Sequence, residues 1–241
     1  MAAEKPSFQP LYAQIKAAIL ARIADGEWGP GSFLPSEMAL AEEYGVSHGT
    51  LRKALNLLTR ENRLVRFQGK GTAVAALNAD SALFPFFMLY DDNGERVFPA
   101  SATEAIRHGL ADEQEAAELD IAPGSEVIRI HRIRILNEKP VINEVIVLSA
   151  ERFPGFSLDL NRLPNTLYEF YYQQYGLFVV KATERLTASL PDAVDQKLLG
   201  VPADMPLLEV QRVSFDMVDK PVEFRRSRIN THTHHYRIEL K

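Results

Sequence analysis

Cysteine is absent from the 241 residues of this chain. Disulfides, thiolate metal sites and cysteine nucleophiles are therefore excluded, and the composition fits a reducing cytoplasm. Long apolar runs are also missing, since none approaches the roughly 20 residues that a membrane-spanning helix needs. The first ten residues, MAAEKPSFQP, lack the apolar core of a secretory signal. We expect a cytoplasmic protein that makes no membrane contact.

An excess of positive charge is missing from the chain as a whole, whose net charge is −5. Its distribution is uneven: residues 1–75 carry 9 Lys/Arg and 7 Asp/Glu, giving +2, whereas residues 76–241 carry 18 and 25, giving −7. Between residues 47 and 72 the one acid, Glu61, accompanies six bases: Arg52, Lys53, Arg60, Arg63, Arg66 and Lys70. A local basic patch can bind phosphates whatever the total charge. The alternative is an ordinary solvated helix face.

The N-terminal third predicts three short helices followed by a β-hairpin. Apolar residues recur every three or four positions over 10–24, and Ser36 and Ser47 are good N-caps for two further helices. The third helix is expected over about 48–61. The runs 64–67 and 72–75 then flank the turn Gln68-Gly69-Lys70-Gly71, which predicts a hairpin with a basic tip.

Two short helices, a tight turn and a hairpin are typical of a winged helix-turn-helix. In that motif the second helix of the pair enters the major groove with its first residues toward the base edges. Ser47, His48 and Thr50 at the start of this helix can form hydrogen bonds with DNA, Arg52 can reach phosphate or guanine, and Gly49 allows close approach. A three-helix bundle without a DNA role is the alternative.

The same region resembles the GntR family of bacterial regulators over about 65 residues. The matching pieces are Pro10-Leu11-Tyr12, Gly26 with Pro30-Gly31, Leu34-Pro35-Ser36-Glu37, Gly45-Val46-Ser47, Thr50-Leu51-Arg52, Ala54-Leu55 and Gln68-Gly69-Lys70-Gly71-Thr72. The resemblance implies DNA contacts from Ser47, Thr50, Arg52, Gly69 and Lys70, and we add Ser36 and His48 as candidates. His48 stands where the family usually has arginine, so the preferred operator sequence stays open.

The remaining two-thirds predict a mixed α/β domain. Helices are expected over 112–119, 166–175 and 192–199, and strands over 84–90, 127–135, 141–148, 177–190, 206–217, 221–229 and 236–240. The segments 119–124 and 199–204 are alike, and each follows a helix and precedes a strand pair. We interpret this as an internal duplication around an antiparallel sheet.

One predicted strand pair carries charged residues that suit an anionic ligand. Arg132 and Arg134 are two residues apart and share one face, where two guanidiniums can clamp a carboxylate or phosphate. Glu144 and Glu223 are candidates to hold hydroxyls or an amine, Tyr168 adds a donor, and Arg225 shares the strand face of Glu223. A solvated Arg–Glu ladder is the alternative.

This region resembles the UTRA ligand-sensing domain of the HutC subfamily of GntR regulators. The matching pieces are Arg132-Ile133-Arg134, Pro140 with Glu144, Phe153-Pro154-Gly155, Leu167-Tyr168, Tyr175-Gly176, Leu199-Gly200-Val201-Pro202 and Pro221-Val222-Glu223. The resemblance implies a fold shared with chorismate lyase that binds small metabolites and does not catalyse. We therefore expect an α+β protein with a winged helix-turn-helix over 8–75, a linker over 76–83 and an effector domain over 84–241.

The resulting hypothesis is a homodimeric repressor of double-stranded operator DNA that responds to a small anionic metabolite. An enzyme, a lyase-like domain fused to a DNA-binding module, is the competing class. We expect no enzymatic activity and no cofactor, because the sequence shows no Ser/His/Asp order, phosphate loop or metal set. His232, His234 and His235 invite a zinc hypothesis, but a polar loop explains them equally well.

Overall fold

The computed structural model describes residues 9–75, 88–157, 159–160 and 163–239. The chain divides into two compact units, Met1–Asn78 and Ala79–Lys241. The predicted linker 76–83 and most of the strand predicted over 84–90 lie outside the described residues. Among the described helices, none combines the length and hydropathy needed to cross a bilayer.

The first unit contains three helices and a hairpin, as predicted. The elements are α1 (Leu11–Ala24), α2 (Glu37–Glu43), α3 (His48–Arg60), β1 (Leu64–Phe67) and β2 (Gly71–Val74). Ile15, Ile19 and Ile23 form the buried face of α1. The inner face of α3 comprises Leu51, Ala54, Leu55 and Leu58, all buried. These helical stripes therefore build the core, and an isolated bridge between Phe33 and Ala73 ties the α1–α2 loop to the hairpin.

Local caps set the turn between α2 and α3. The Ser36 hydroxyl accepts a hydrogen bond from the Ala39 amide, and the Ser47 hydroxyl accepts one from the Thr50 amide. These bonds satisfy helix N-terminal donors that would otherwise lack partners. Gly45 follows the end of α2 with φ +61°, a conformation that glycine adopts without strain.

The second unit is built on an antiparallel sheet. Its elements are β3 (Leu89–Asp91), β4 (Ala100–Leu110), α4 (Glu113–Leu119), β5 (Glu126–Leu136), β6 (Lys139–Ser149), α5 (Leu167–Tyr175), β7 (Lys181–Ser189), α6 (Ala193–Leu199), β8 (Leu207–Phe215), β9 (Pro221–Ile229) and β10 (His234–Tyr236). The sheet has six strands in the order β4-β5-β6-β9-β8-β7. Strands β3 and β10 form a separate antiparallel pair.

The predicted duplication is present and is larger than the sequence indicated. Each half is a strand, a helix and a hairpin: β4-α4-β5-β6 and β7-α6-β8-β9. The strand order places β6 beside β9, so the halves meet at an approximate two-fold axis. The second strands of the two hairpins begin alike, with Lys139-Pro140-Val141 in one half and Lys220-Pro221-Val222 in the other.

The two halves are interlocked, because each helix packs on a strand of the other half. Helix α4 packs on β9, and α6 packs on β6. Both helices open with a capping box, formed by Asp112 with Glu115 and by Asp192 with Asp195. Asp195 is fully buried and accepts hydrogen bonds from Asn143 of β6 at 2.7 Å and from Arg228 of β9 at 2.5 Å.

Three strands depart most clearly from the sequence prediction. Strand β4 was not predicted, because its sequence, ASATEAIRHGL, contains few of the bulky residues that mark strands. The strand predicted over 177–190 begins at Lys181. The predicted last strand, 236–240, is the short β10, which ends at Tyr236.

We expect Asp195→Ala to destabilise the second unit by about 3 kcal/mol or more, because Asn143 loses its buried acceptor and Arg228 loses a fully buried carboxylate. Urea unfolding followed by circular dichroism measures this loss. The matched control is Asp192→Ala, which removes the exposed member of the same capping box and should cost about 1 kcal/mol. Equal losses in the two variants would contradict the linking role of Asp195.

Candidate DNA-binding surface and effector site

The start of α3 and the hairpin tip form one candidate surface. Of the seven predicted DNA contacts only Thr50 is half-buried, and the others are exposed: Ser36, Ser47, His48, Arg52, Gly69 and Lys70. Gly69 has φ +74°, and a Cβ there would meet nothing within 4 Å. The turn geometry therefore requires glycine, and the backbone at this tip is open to a close approach by DNA.

The hydroxyls at the start of α3 are already ordered by the helix. Ser47 Oγ lies 2.9 Å from Thr50 Oγ1 and 3.2 Å from the Thr50 amide. Each hydroxyl retains lone pairs for a further partner. The cap thus fixes the direction of two groups that can meet bases or phosphates.

One carboxylate, which was not among the predicted site residues, links three elements of this surface. Glu37 Oε2 lies 3.1 Å from Nε2 of His48, and Glu37 Oε1 lies 3.1 Å from Nη2 of Arg66. The first residue of α2 thereby orients a residue of the recognition helix and a residue of the hairpin. From the sequence, Glu37 was named only as part of the Leu34-Pro35-Ser36-Glu37 match to the GntR family.

The predicted ligand residues meet on one face of the six-stranded sheet as a buried chain of ion pairs. Arg134 donates from Nε to Glu144 Oε1 at 2.8 Å, and Arg225 donates from Nη1 to Glu144 Oε2 at 3.2 Å. Arg225 also donates to both oxygens of Glu223, at 2.8 and 3.0 Å. Tyr168 donates to Glu223 Oε1 at 3.3 Å. The alternative of a solvated ladder is wrong, because all five side chains are buried.

Arg132 is buried beside this chain and is less completely paired. Its relative exposure is 0%, and its Nη2 donates to Ser101 Oγ and, at 2.9 Å, to the carbonyl oxygen of Pro164. Among the residues that the structure describes, its Nε and Nη1 have no hydrogen-bond partner. Within the described part of the chain, two buried donor atoms of this cation therefore lack an acceptor.

The electrostatics of the cluster differ from one end to the other. Burial, followed by the nearby charges of Arg134 and Arg225, lowers the pKa of Arg132 to about 10. Burial alone would raise the pKa of Glu144, but Arg134, Arg225 and Arg132 outweigh it and bring that pKa to about 2. Glu144 is therefore ionised, and positive charge is in excess around Arg132.

The expected clamp of two equivalent arginines needs a correction. Arg134 is committed to Glu144 and to Asn165, whose side-chain oxygen lies 2.8 Å from Nη1. Arg132 is the guanidinium with donors to spare. Register correctly predicted that the two share a face, but the partners Pro164 and Asn165 are loop residues that no strand pattern identifies.

Further residues of the site were missed by sequence reasoning. Tyr171 donates to Glu223 Oε2 at 2.7 Å, and Ser214 lies 2.8 Å from the Tyr168 hydroxyl. Tyr171 follows Tyr168 by three positions on α5, so helical spacing alone could have identified it. Ser214 and Ser101 lacked a comparable signal.

A small cavity of about 20 Å³, with room for about one water molecule, adjoins the ion-pair chain. Its polar wall comes from Glu144, Arg212, Arg225 and Ser227, and its apolar wall from Met88, Leu89, Ile142, Val210, Ile229 and Tyr236. Arg132 is not among the residues that line this cavity, which would have to widen to admit more than a water molecule. Within the described ranges, no group of three or more His, Asp or Glu side chains is arranged to hold a metal ion.

These features define a class of protein: a winged helix-turn-helix unit joined in one chain to a mixed α/β unit with a charged internal site. Residues 11–74 match the family described as bacterial regulatory proteins, gntR family, and residues 99–235 match the UTRA domain. The chain belongs to the GntR family of transcription regulators and carries a UTRA domain of the HutC type. The family and the fold class predicted from the sequence are confirmed.

Three individual proteins illustrate the similarity. The "Probable fructoselysine utilization operon transcriptional repressor" of Escherichia coli (strain K12) is 28% identical over 230 residues, covering 92% of this chain and 90% of that protein. The histidine utilization repressor of Pseudomonas aeruginosa is 32% identical, covering 84% and 77%. The crystal structure of a GntR-family ligand-binding domain from Bordetella bronchiseptica matches with a TM-score of 0.59 and 30% identity, covering 65% of this chain and 97% of that one.

The surface around α3 yields a paired prediction on DNA binding. We expect Lys70→Ala to weaken binding to every duplex alike and to lower the slope of log affinity against log salt by about 1, because it removes one phosphate contact. Arg52→Ala should instead reduce the discrimination between operator and random DNA, which we place at about 1–3 kcal/mol. Fluorescence anisotropy over a salt series measures both.

Lys197→Ala removes an exposed lysine of the second unit and is the control, expected to leave both quantities unchanged. An unaltered salt slope in Lys70→Ala would show that Lys70 does not contact a DNA phosphate. Equal losses on operator and random DNA in Arg52→Ala would remove it from base reading.

Proposed function

We propose that this regulator is a repressor that binds two-fold symmetric operator DNA as a homodimer and releases it when an anionic metabolite binds beside Arg132. The DNA contacts would come from the start of α3 and the hairpin tip. The effector contacts would come from Arg132, Arg134, Glu144, Tyr168, Glu223 and Arg225.

The observation that carries the effector assignment is the imbalance of buried charge. Within the described part of this sheet face, four arginines (Arg132, Arg134, Arg212 and Arg225) meet three glutamates (Glu144, Glu184 and Glu223). An isolated buried charge is unfavourable by several kcal/mol unless it is paired. An anion at Arg132 would supply both the missing negative charge and acceptors for Nε and Nη1.

The shape of the site supports a metabolite with more than an anionic group. Glu144 lines the cavity and also neighbours Arg132 by strand register, so the cavity and the cationic end belong to one face. The apolar wall around Met88, Leu89 and Ile229 would contact a carbon skeleton if the cavity widens on binding. An acidic sugar derivative or an organic acid fits this description.

The position of the cavity offers a route to the DNA-binding unit. Met88 and Leu89, which line it, are the first described residues after the segment that leads from the winged helix-turn-helix. Leu89 pairs with Tyr236, and the Met88 carbonyl accepts a hydrogen bond from the Arg237 amide. A ligand that prefers one arrangement of this β3–β10 pair would shift the equilibrium of the whole protein by its difference in affinity.

Arg132→Gln tests the effector assignment. Carboxylates and phosphorylated sugars are first screened by thermal shift, and release is then measured by anisotropy on a duplex that the protein selects from a random library. We expect the variant to keep operator affinity within about twofold and to require tens- to thousands-fold more ligand for release, because a charge-assisted contact of about 2–5 kcal/mol is lost.

Arg185→Gln, which alters an exposed arginine of the same unit, is the control and should behave as wild type. Release of Arg132→Gln at the wild-type ligand concentration would place the effector site elsewhere.

The homodimer is tested by sedimentation of the free protein and of its complex with DNA. We expect a dimer at micromolar concentration and a protected operator whose two half-sites lie about 34 Å or a multiple of it apart, because one recognition helix reads only one half-site. A monomer that binds a single half-site as tightly as the full operator would contradict this proposal.

A further inference from the structure

The two halves of the second unit carry equivalent arginines. Arg132 lies thirteen residues after Leu119 and Arg212 thirteen residues after Leu199, and these leucines are matched positions of the duplication. Both arginines project from the middle strand of their half onto the same face of the sheet, and both are buried. The fold therefore offers an internal comparison of one site in two copies.

Strand register shows which residues stand opposite these arginines on the edge strands. Arg132 pairs with Thr103 of β4, and Arg212 pairs with Glu184 of β7. The neighbouring pairs keep the same relation, with Ser101 opposite Arg134 and Ala182 opposite Ser214. Thr103 and Glu184 thus occupy equivalent positions, and the two copies differ by a carboxylate.

In the second copy that carboxylate forms an ion pair with the arginine. Glu184 Oε1 lies 2.6 Å from Nε and 2.5 Å from Nη2 of Arg212, and the Tyr236 hydroxyl donates to Oε2 of Glu184. Burial alone would lower the pKa of Arg212, but Tyr168 and Glu184 outweigh it and the pKa is raised. In this half the charge of Arg212 is neutralised by the protein's own Glu184 side chain.

In the first copy the corresponding side chain is the short, neutral Thr103. Arg132 is fully buried, and its Nε and Nη1 lack partners among the residues that the structure describes. Its pKa is lowered by burial and by Arg134, in the direction opposite to that of Arg212. The same strand geometry therefore gives one saturated arginine and one that still has donors to offer.

We propose that the Arg212–Glu184 pair is a copy of the effector site filled by the protein's own carboxylate, and that Thr103 is an effector-contacting position that leaves room for the ligand's oxyanion at Arg132. The inference rests on the proposed function, in which Arg132 binds the effector. The ligand class is an oxyanion, either a carboxylate or a phosphoryl group. A glutamate at position 103 would then act as a tethered effector.

The experiment is a thermal-unfolding series on the full chain with Thr103→Glu and with Thr183→Glu. The second variant adds the same charge at an exposed position of β7 and is the control. In buffer without oxyanions we expect Thr103→Glu to unfold about 3 °C or more above Thr183→Glu, because a buried cation gains a partner.

Inorganic phosphate and acetate, at matched ionic strength, are the probes. We expect one or both to raise the unfolding midpoint of the wild type and of Thr183→Glu, and neither to raise that of Thr103→Glu. A response to phosphate alone assigns a phosphoryl group, and a response to acetate alone assigns a carboxylate. A Thr103→Glu protein that is no more stable than its control, or that responds to a probe as the wild type does, overturns the inference.

Glu184→Gln provides a second test that does not require Thr103→Glu to fold. Removing this carboxylate leaves Arg212 without its partner, so we expect a lower unfolding midpoint. Phosphate or acetate should restore part of this loss, and the rise in midpoint should be larger than in the wild type. A rise equal to that of the wild type overturns the inference. An undiminished probe response in Arg132→Gln would instead refute the proposed function, so the two failures are distinguishable.

Discussion

Burial of charge on one face of the six-stranded sheet is the constraint from which the rest of the second unit follows. A guanidinium removed from water needs acceptors at hydrogen-bonding distance, and Glu144, Glu184 and Glu223 supply them to Arg134, Arg212 and Arg225. Each of these pairs joins different strands or is held by tyrosines of α5, so the charges can be matched only when the whole sheet is assembled. The arginine that remains, Arg132, has no carboxylate partner among the described residues, and it is here that we propose the effector's anion binds.

The interlocked duplication makes this arrangement rigid. Helix α4 packs on β9 and α6 packs on β6, and the central strands β6 and β9 hold Glu144, Glu223 and Arg225. Glu144 accepts hydrogen bonds from Arg134 of the first half and from Arg225 of the second, so it joins the charges of the two halves. Met88 and Leu89, which line the cavity, are the first residues of this unit that the structure describes.

Much of this architecture could be predicted from local patterns. Helical spacing identified α1 and α3, capping serines identified the start of α2 and α3, and the likeness of 119–124 to 199–204 revealed the duplication. Strand β4 was missed because Ala100–Leu110 lacks bulky β-formers. The pairing of Thr103 with Arg132 could therefore not be predicted either. No sequence pattern could predict that Arg132 and Arg134 differ in their hydrogen bonding, because Pro164 and Asn165 contribute their oxygens from a loop. On the DNA side, the role of Glu37 depends on three elements meeting in space.

We propose that the effector's anionic group binds Nε and Nη1 of Arg132, which have no hydrogen-bond partner among the residues that the structure describes. A crystal structure of the full chain, grown with an anion that releases it from operator DNA, tests this most directly. The account predicts oxyanion oxygens about 2.7–3.0 Å from Nε or Nη1 of Arg132, with the Arg212–Glu184 pair unchanged. A ligand bound away from Arg132, or one that displaces Glu184 from Arg212 and leaves Arg132 as it is, would contradict the claim.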